Sequence, residues 1–245
     1  MDERILRHLL RDPVPHLFLA YDLMFEAERC MVWGALEGDE LRGYLLFWSV
    51  NRSWILEAES IDHAKPLIEL INPTGSTIIA SEKLSGLIES RLNPLRKVSW
   101  ILMMVERGHE NLCDSRDVIP LGLSELDDIV NLYRSEAGWG RDRELVEDWI
   151  RRLPAFGYFK EGKLVSIAGL LSKSPWGGLI GGVFTHPKFR RMGYGCKTTS
   201  AATAYALENF GLAALYVDSR NKPAINLYLK LGYKPHSRKI FYPFR

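Results

Sequence analysis

One order of elements, three strands, helix, strand, helix, strand, can be read twice along the chain. It constrains the fold more than any single motif does. In the C-terminal half Ser124 reads as a helix cap, with Leu126, Ile129, Val130 and Tyr133 following at helical spacing. A second helix over 142–153 stops at Pro154. Strands at 156–160 and 164–171 flank Glu161-Gly162, a hairpin signal, and 179–185 is the third strand. A long helix over 193–209 stops at Gly211. A strand at 214–217, a helix over 223–231 closed by Gly232, and an extended stretch to Phe241 complete this half. The N-terminal half repeats the list: strands at 31–36, 41–48 and 54–57, a helix over 62–71, a strand at 77–80, a helix over 82–91 and a strand at 98–105. The period is about 120 residues, far beyond that of solenoid repeats. The predicted fold class is α/β, two tandem folds of mixed sheet with flanking helices, over residues 1–112 and 113–245. The boundary is expected near 108–116, where the chain turns polar.

Composition removes several functional classes. Hydrophobic residues are 47% and charged residues 25% of 245, the balance of a globular chain rather than a disordered one. A net charge of +2 creates no field that would favour nucleic acid or an anionic membrane, so neither is expected as a partner. The strongest apolar run, Tyr44-Leu45-Leu46-Phe47-Trp48, is strand-sized and well short of the ~20 residues that span a bilayer. Met1-Asp2-Glu3-Arg4 alternates charges, which points to the cytoplasm. Cys30, Cys113 and Cys196 are too few and too scattered for a disulfide framework or a zinc knuckle, so no metal is expected. The chain has no glutamine, a feature shared with heat-adapted proteins, in which intracellular disulfides also occur.

The chemistry concentrates in Val183-Phe184-Thr185-His186-Pro187-Lys188-Phe189-Arg190-Arg191-Met192-Gly193-Tyr194-Gly195, which leads into the long helix. A strand feeds a short loop with two arginines and two glycines, and the loop opens a helix whose first N–H groups lack helical partners. Such a turn binds phosphate or pyrophosphate. Gly193 and Gly195 would let the backbone approach the anion, and Arg190 and Arg191 could add charge-assisted bonds. A Walker loop does not fit, because Lys197-Thr198 follows Cys196 instead of glycine. The dinucleotide fingerprint does not fit either, because its third glycine is Thr198. A solvated basic turn before a packing helix is the plain alternative. One strand later, Asn221, Ala224, Tyr228 and Leu231 share a helix face, with Asn221 also suited to a cap and Tyr228 to a core position.

Together the two segments resemble the GNAT superfamily of acyl-CoA-dependent N-acyltransferases. Arg190, Gly193 and Gly195 match its Arg-x-x-Gly-x-Gly pyrophosphate loop, and Asn221 to Tyr233 match its Asn-x-x-Ala-x-x-Leu-Tyr-x-x-x-Gly-aromatic pattern. The resemblance covers about 118–245. The N-terminal half looks like a degenerate copy, since 60–65 lacks the loop motif, a layout similar to that of glycine N-acyltransferase-like proteins.

The resemblance implies that acetyl-CoA or another acyl-CoA lies where strands 179–185 and 214–217 splay apart. Val183, Phe184 and Thr185 would pair with the pantetheine arm, and Arg190, Arg191, Met192, Gly193, Tyr194 and Gly195 would surround the pyrophosphate. Asn221 and Tyr228 would complete the donor site. Gly181-Gly182 would permit the strand distortion, and a backbone amide would polarise the thioester carbonyl. A neutral amine attacks, and Tyr228 protonates the departing thiolate. The family's common strand glutamate is missing from Gly178-Leu179-Ile180-Gly181-Gly182. Glu136, Asp218, His186, a water relay or an already neutral amine remain as ways to remove the ammonium proton. Trp139, Tyr133 and Trp176 could line an acceptor pocket. The acceptor is a small-molecule or protein amine, and the chain is a monomer or homodimer. The alternative is a non-catalytic acyl-CoA sensor or scaffold.

Overall fold

The computed structural model describes residues 2–137 and 142–244. The chain runs α1 (Glu3–Arg11), α2 (Leu17–Phe25), β1 (Cys30–Glu37), β2 (Glu40–Trp48), β3 (Ser53–Ala58), α3 (Ile61–Ile68), β4 (Thr77–Ser81), α4 (Ser85–Leu92) and β5 (Val98–Glu106). It continues with β6 (Ile119–Leu121), α5 (Leu126–Arg134), α6 (Arg143–Arg152), β7 (Ala155–Lys160), β8 (Lys163–Ser174) and β9 (Gly177–Thr185). The last elements are α7 (Tyr194–Phe210), β10 (Leu212–Asp218), α8 (Lys222–Lys230) and β11 (Lys234–Pro243). Two compact units result: Met1–Leu102 with Val217–Asn221 and Pro235–Arg245, and Met103–Tyr216 with Lys222–Lys234.

In the first unit the strands run β1-β2-β3-β4-β11. The β1, β2 and β3 neighbours are antiparallel, β3 and β4 are parallel, and β11 closes antiparallel on β4 from Lys239↔Ser81 to Pro243↔Thr77. Leu45, Leu56, Ile68, Ile78, Ile240 and Tyr242 meet in its core. Asp2 starts α1 by accepting from the Arg4 N–H at 2.8 Å, and Ser60 starts α3 by accepting from the His63 N–H at 3.3 Å.

In the second unit the order is β10-β9-β8-β7-β6, with β10 parallel to β9 and the other neighbours antiparallel. Ile129, Val130, Tyr133, Val146, Ile167 and Phe184 fill its core. The β7–β8 turn places Glu161 (φ 52) and Gly162 (φ 72) both in left-handed geometry, the turn that matches strand twist.

Three elements depart from expectation. Ser124 is not the cap of α5. A 3-10 turn at Leu123–Glu125 precedes the helix, and the Glu125 carboxylate accepts from the Gly122 N–H at 2.8 Å. α1 and α2 lie in a stretch with no expected element; α2 buries Leu17, Leu19, Ala20, Tyr21 and Asp22 on all sides, so it has no amphipathic period to read. The cysteines are not all unconnected: Cys113 and Cys196, 83 positions apart with Cα atoms 6.0 Å from each other, form a disulfide, and Cys30 is free.

Candidate functional site

The site begins with a strand that changes direction. β10 pairs with β9 only at Ala213↔Gly178, Ala214↔Leu179 and Leu215↔Ile180. Beyond Ile180, Gly181–185 continue along β8 with no β10 register among the described residues. The β8–β9 register slips at this point: Ile167 faces Phe184 and Gly169 faces Gly181, so Ala168 opposes the two residues Gly182 and Val183. Gly182 has φ +62, and a Cβ there would stand 2.9 Å from both the Tyr133 Oη and Trp149. Only glycine takes that conformation in that space without strain. Tyr133 fixes the kink by donating to the Gly182 carbonyl at 2.6 Å. Trp149 donates through Nε1 to the Leu170 carbonyl at 2.6 Å on the neighbouring strand.

After Thr185 the chain enters the basic loop. The Nδ1 of His186 accepts from the Lys188 N–H at 3.2 Å and caps the 3-10 turn Pro187–Phe189. Arg191 (φ 65) and Gly193 (φ 87) both take left-handed geometry, which turns the backbone sharply into α7. The first bonds of α7 run from the Cys196 and Lys197 N–H groups to the Gly193 carbonyl, at 3.0 and 3.2 Å. The N–H groups just before them have no helical acceptor and point toward whatever lies in front of the helix. A Cβ on Gly195 would stand 3.1 Å from the Thr185 Oγ1. That glycine therefore serves the close approach of helix to strand as well as of loop to ligand. Below it Ser166 links Thr185 at 2.9 Å and Thr198 at 3.0 Å. Tyr194 stacks on Tyr158 with centroids 4.5 Å apart, and Met192 is exposed.

Several candidates take different places from those the sequence suggested. Arg190 is held by protein groups: it bridges both oxygens of Glu136 (3.1 and 2.5 Å), donates to the Thr185 carbonyl at 3.1 Å and lies over the Phe184 ring. The guanidinium holds the Glu136 carboxyl below the usual carboxylate range, which makes Glu136 a weak base. Asp218 is likewise paired with Arg220, at 3.0 and 2.6 Å, and lowered by it. Asp218 and Asn221 belong to the first unit, where the Asn221 N–H donates to the Asp218 carbonyl at 2.8 Å. Tyr133 is fully buried and acts as a brace for the strand rather than a pocket wall. Trp176 sits in the β8–β9 turn, at the opposite end of β9 from Thr185. Trp139 lies outside the described residues.

Tyr228 is buried on α8 with its ring 6.0 Å from that of Tyr233, whose hydroxyl bonds the Thr203 Oγ1 at 2.7 Å. Burial pushes the Tyr228 phenol up to about 12, which keeps its proton on across the neutral range. Trp149, Tyr158 and the Cys113–Cys196 bond are the parts that sequence reasoning missed. Of these Trp149 left a signal, three positions after Val146 and next to Ile150 on α6. Among the described residues no cluster of His, Cys, Asp and Glu could hold a metal ion, and no helix is long and apolar enough to cross a membrane.

Residues 126–233 match the Acetyltransferase (GNAT) family. No curated protein matches the chain. Solved structures similar to it include a protein of Novosphingobium aromaticivorans described as a GNAT-family acetyltransferase, with 18% identity, 91% and 94% of the two chains covered and a TM-score of 0.63. A Drosophila protein has 13% identity, 95% and 96% coverage and a TM-score of 0.71. A tandem GNAT protein from the clavulanic acid biosynthesis pathway has 13% identity, 92% and 86% coverage and a TM-score of 0.56. At these identities the likeness is one of fold, and it extends over both halves of the chain.

Proposed function

We propose, on the premise that the C-terminal half is a GNAT domain, that this protein moves an acetyl or other short acyl group from acyl-CoA to a primary amine. One observation carries the reading. β9 leaves β10 after Ile180 and continues from Gly181 to Thr185 along β8, with no β10 register among the described residues, one turn before the bare N–H groups of α7. In this reading the edge of β9 turned away from β8 along Val183, Phe184 and Thr185 meets a pantetheine arm, which carries its own amides. The Arg191-to-Gly195 turn suits the pyrophosphate. Arg190, held by Glu136, serves the loop's shape rather than the anion directly.

In the reaction the neutral amine nitrogen attacks the thioester carbon, a C–N bond forms, the C–S bond breaks, and the nitrogen sheds one proton. Tyr228 hands its proton to the leaving sulfur and regains one from water. Glu136 and Asp218 are ion-paired and too acidic to take a proton from an alkylammonium of pKa ~10. That leaves His186, a water relay or an amine that arrives already neutral. The same two ion pairs favour the second reading, a non-catalytic acyl-CoA sensor.

A thermal-shift titration with acetyl-CoA tests the donor site; a ligand at ~100 times its dissociation constant adds about 2.7 kcal/mol of stability. A thiol-release screen across primary amines then separates enzyme from sensor. Tight binding with no thiol released from any amine leaves the sensor, and no shift at all removes both readings.

A further inference from the structure

The direction of each main-chain group on β9 beyond its kink can be read from the pairing with β8. His186 donates its N–H to the Val165 carbonyl at 2.9 Å, and Thr185 and Phe184 face Ser166 and Ile167 along the same register. In an antiparallel pair every second residue exchanges bonds with its neighbour, and the residues between point the other way. Phe184 therefore turns its N–H and carbonyl toward β8, while Val183 and Thr185 turn theirs away. The Thr185 carbonyl accordingly accepts from the Arg190 Nε at 3.1 Å. Val183 is the second of the two residues that oppose Ala168, on the stretch for which β10 has no register among the described residues. Gly178, Leu179 and Ile180 are buried, but Gly181, Gly182 and Val183 are only half-buried, so β9 loses its cover where the fork opens.

The peptide between Gly182 and Val183 is trans, like the others among the described residues. Its carbonyl and its N–H therefore point in opposite directions, and whatever holds the Gly182 carbonyl also aims the Val183 N–H. Glycine restrains that peptide less than any other residue would, so the restraint must come from outside the strand. Tyr133 supplies it, donating to the Gly182 carbonyl at 2.6 Å. The Tyr133 ring is fully buried and packs on Phe184 with centroids 5.6 Å apart, which fixes where its hydroxyl stands. It also approaches from the far face of the sheet. Ile167 lies in the core with Tyr133, whereas its neighbour Ser166 bonds Thr198 of α7, and successive residues of a strand face opposite ways. Tyr133 thus leaves the face in front of α7 clear.

We propose that Tyr133 is a positioning residue for acyl transfer: through the Gly182 carbonyl it aims the Val183 N–H at the carbonyl oxygen of the bound thioester. This rests on the acyl-CoA reading of the same site. As the amine attacks, the thioester oxygen gains negative charge, and an N–H already in place stabilises that charge more than one that must turn to meet it. Tyr133 itself touches neither donor nor acceptor and hands over no proton.

Infrared spectra of acetyl-CoA, isotope-labelled at its thioester carbonyl and bound to the full chain, test this. Tyr133→Phe keeps the ring and removes the hydroxyl, and it should move the bound C=O band to higher wavenumber than in the parent. S-ethyl-CoA, a thioether without the carbonyl, should bind both proteins alike. Acetyl-CoA should bind the parent roughly threefold to tenfold tighter than the thioether and lose that advantage in the variant. Tyr242→Phe strips a buried hydroxyl from the first unit's core instead; it should lower the melting temperature and leave the band in place. A measurement on the parent needs no variant to fold: the Val183 amide proton, read by NMR, should move downfield with acetyl-CoA relative to S-ethyl-CoA. A band that Tyr133→Phe does not move, a band that Tyr242→Phe moves equally, or a Val183 amide that does not distinguish the two ligands overturns the proposal while acetyl-CoA still binds. Acetyl-CoA that fails to bind the parent overturns the donor reading, and the proposal with it.

Discussion

In the proposed reaction the single side chain on which the chemistry turns is Tyr228. A phenol is an ordinary acid of pKa ~10, and burial here raises it to about 12. A raised value favours the protonated form, so the proton is present at every pH at which an alkylamine becomes neutral. The rate should therefore climb with pH from 7 toward ~10 as the amine deprotonates, with no descending limb in that window. A pH–rate profile with an amine of known pKa checks this; a fall beginning near pH 8–9 would remove Tyr228 as the acid. Tyr228→Phe removes the proton but keeps the ring, and general acids contribute roughly 10²–10⁴-fold. The turnover number should drop by at least about tenfold, while acetyl-CoA affinity, read by titration, stays within about twofold. Two of the three bases proposed from the sequence, Glu136 and Asp218, lie close to arginines that are 54 and 2 positions away. Their pairing makes them poor bases.

At the scale of elements, the proposed donor site rests on the kinked β9 and the tethered α7. Gly182→Ala puts a methyl 2.9 Å from Tyr133 and Trp149 in left-handed geometry, a strain of about 1–3 kcal/mol. The kink should shift and acetyl-CoA affinity fall at least about tenfold. Gly162→Ala is the control: it has the same left-handed geometry (φ +72) and open space around it, so stability alone should drop. Affinity unchanged in the Gly182 variant would separate the kink from binding. α7 carries a second constraint, since the Cys113–Cys196 bond ties its first turn across 83 positions. Chain entropy assigns such a closure up to about 4.5 kcal/mol. Cys113→Ser and Cys196→Ser should each lower the thermal midpoint, and reductant should lower the parent to match. A parent indifferent to reductant would mean an open bridge. These elements also mark how far the sequence can be read. The glycine pair, the Arg190-to-Gly195 turn and the helix stops are local and show in spacing. The Cys113–Cys196 and Glu136–Arg190 pairings depend on tertiary placement, which spacing does not encode. β6, with three residues, is too short to show a period, and α2 is too uniformly apolar.

For the whole molecule, chain order and compact units do not coincide. The first unit includes Pro235–Arg245, whose strand β11 supplies β4 with its antiparallel partner. Ile240 and Tyr242 from that strand are buried, at 4% and 0% exposure, among Ile78, Leu56 and Ile68. We take the division between the two copies to fall in 108–116, after β5, yet cutting the chain there does not cut out a finished unit. A fragment of residues 1–112 would expose the edge of β4 and lose both buried side chains. Large-to-small losses of buried apolar groups cost about 2–5 kcal/mol each. A domain's net stability is only ~5–15 kcal/mol. The fragment should therefore lack a cooperative thermal transition and bind hydrophobic dye. Fusing residues 234–245 to its end through a flexible linker should restore a single transition. Differential scanning calorimetry of the two fragments decides it. A cooperative transition for 1–112 alone would show that β11 is an accessory to the first unit and that its core closes without Ile240 and Tyr242. A fused fragment that still melts without a transition would place the missing stability elsewhere than in this strand.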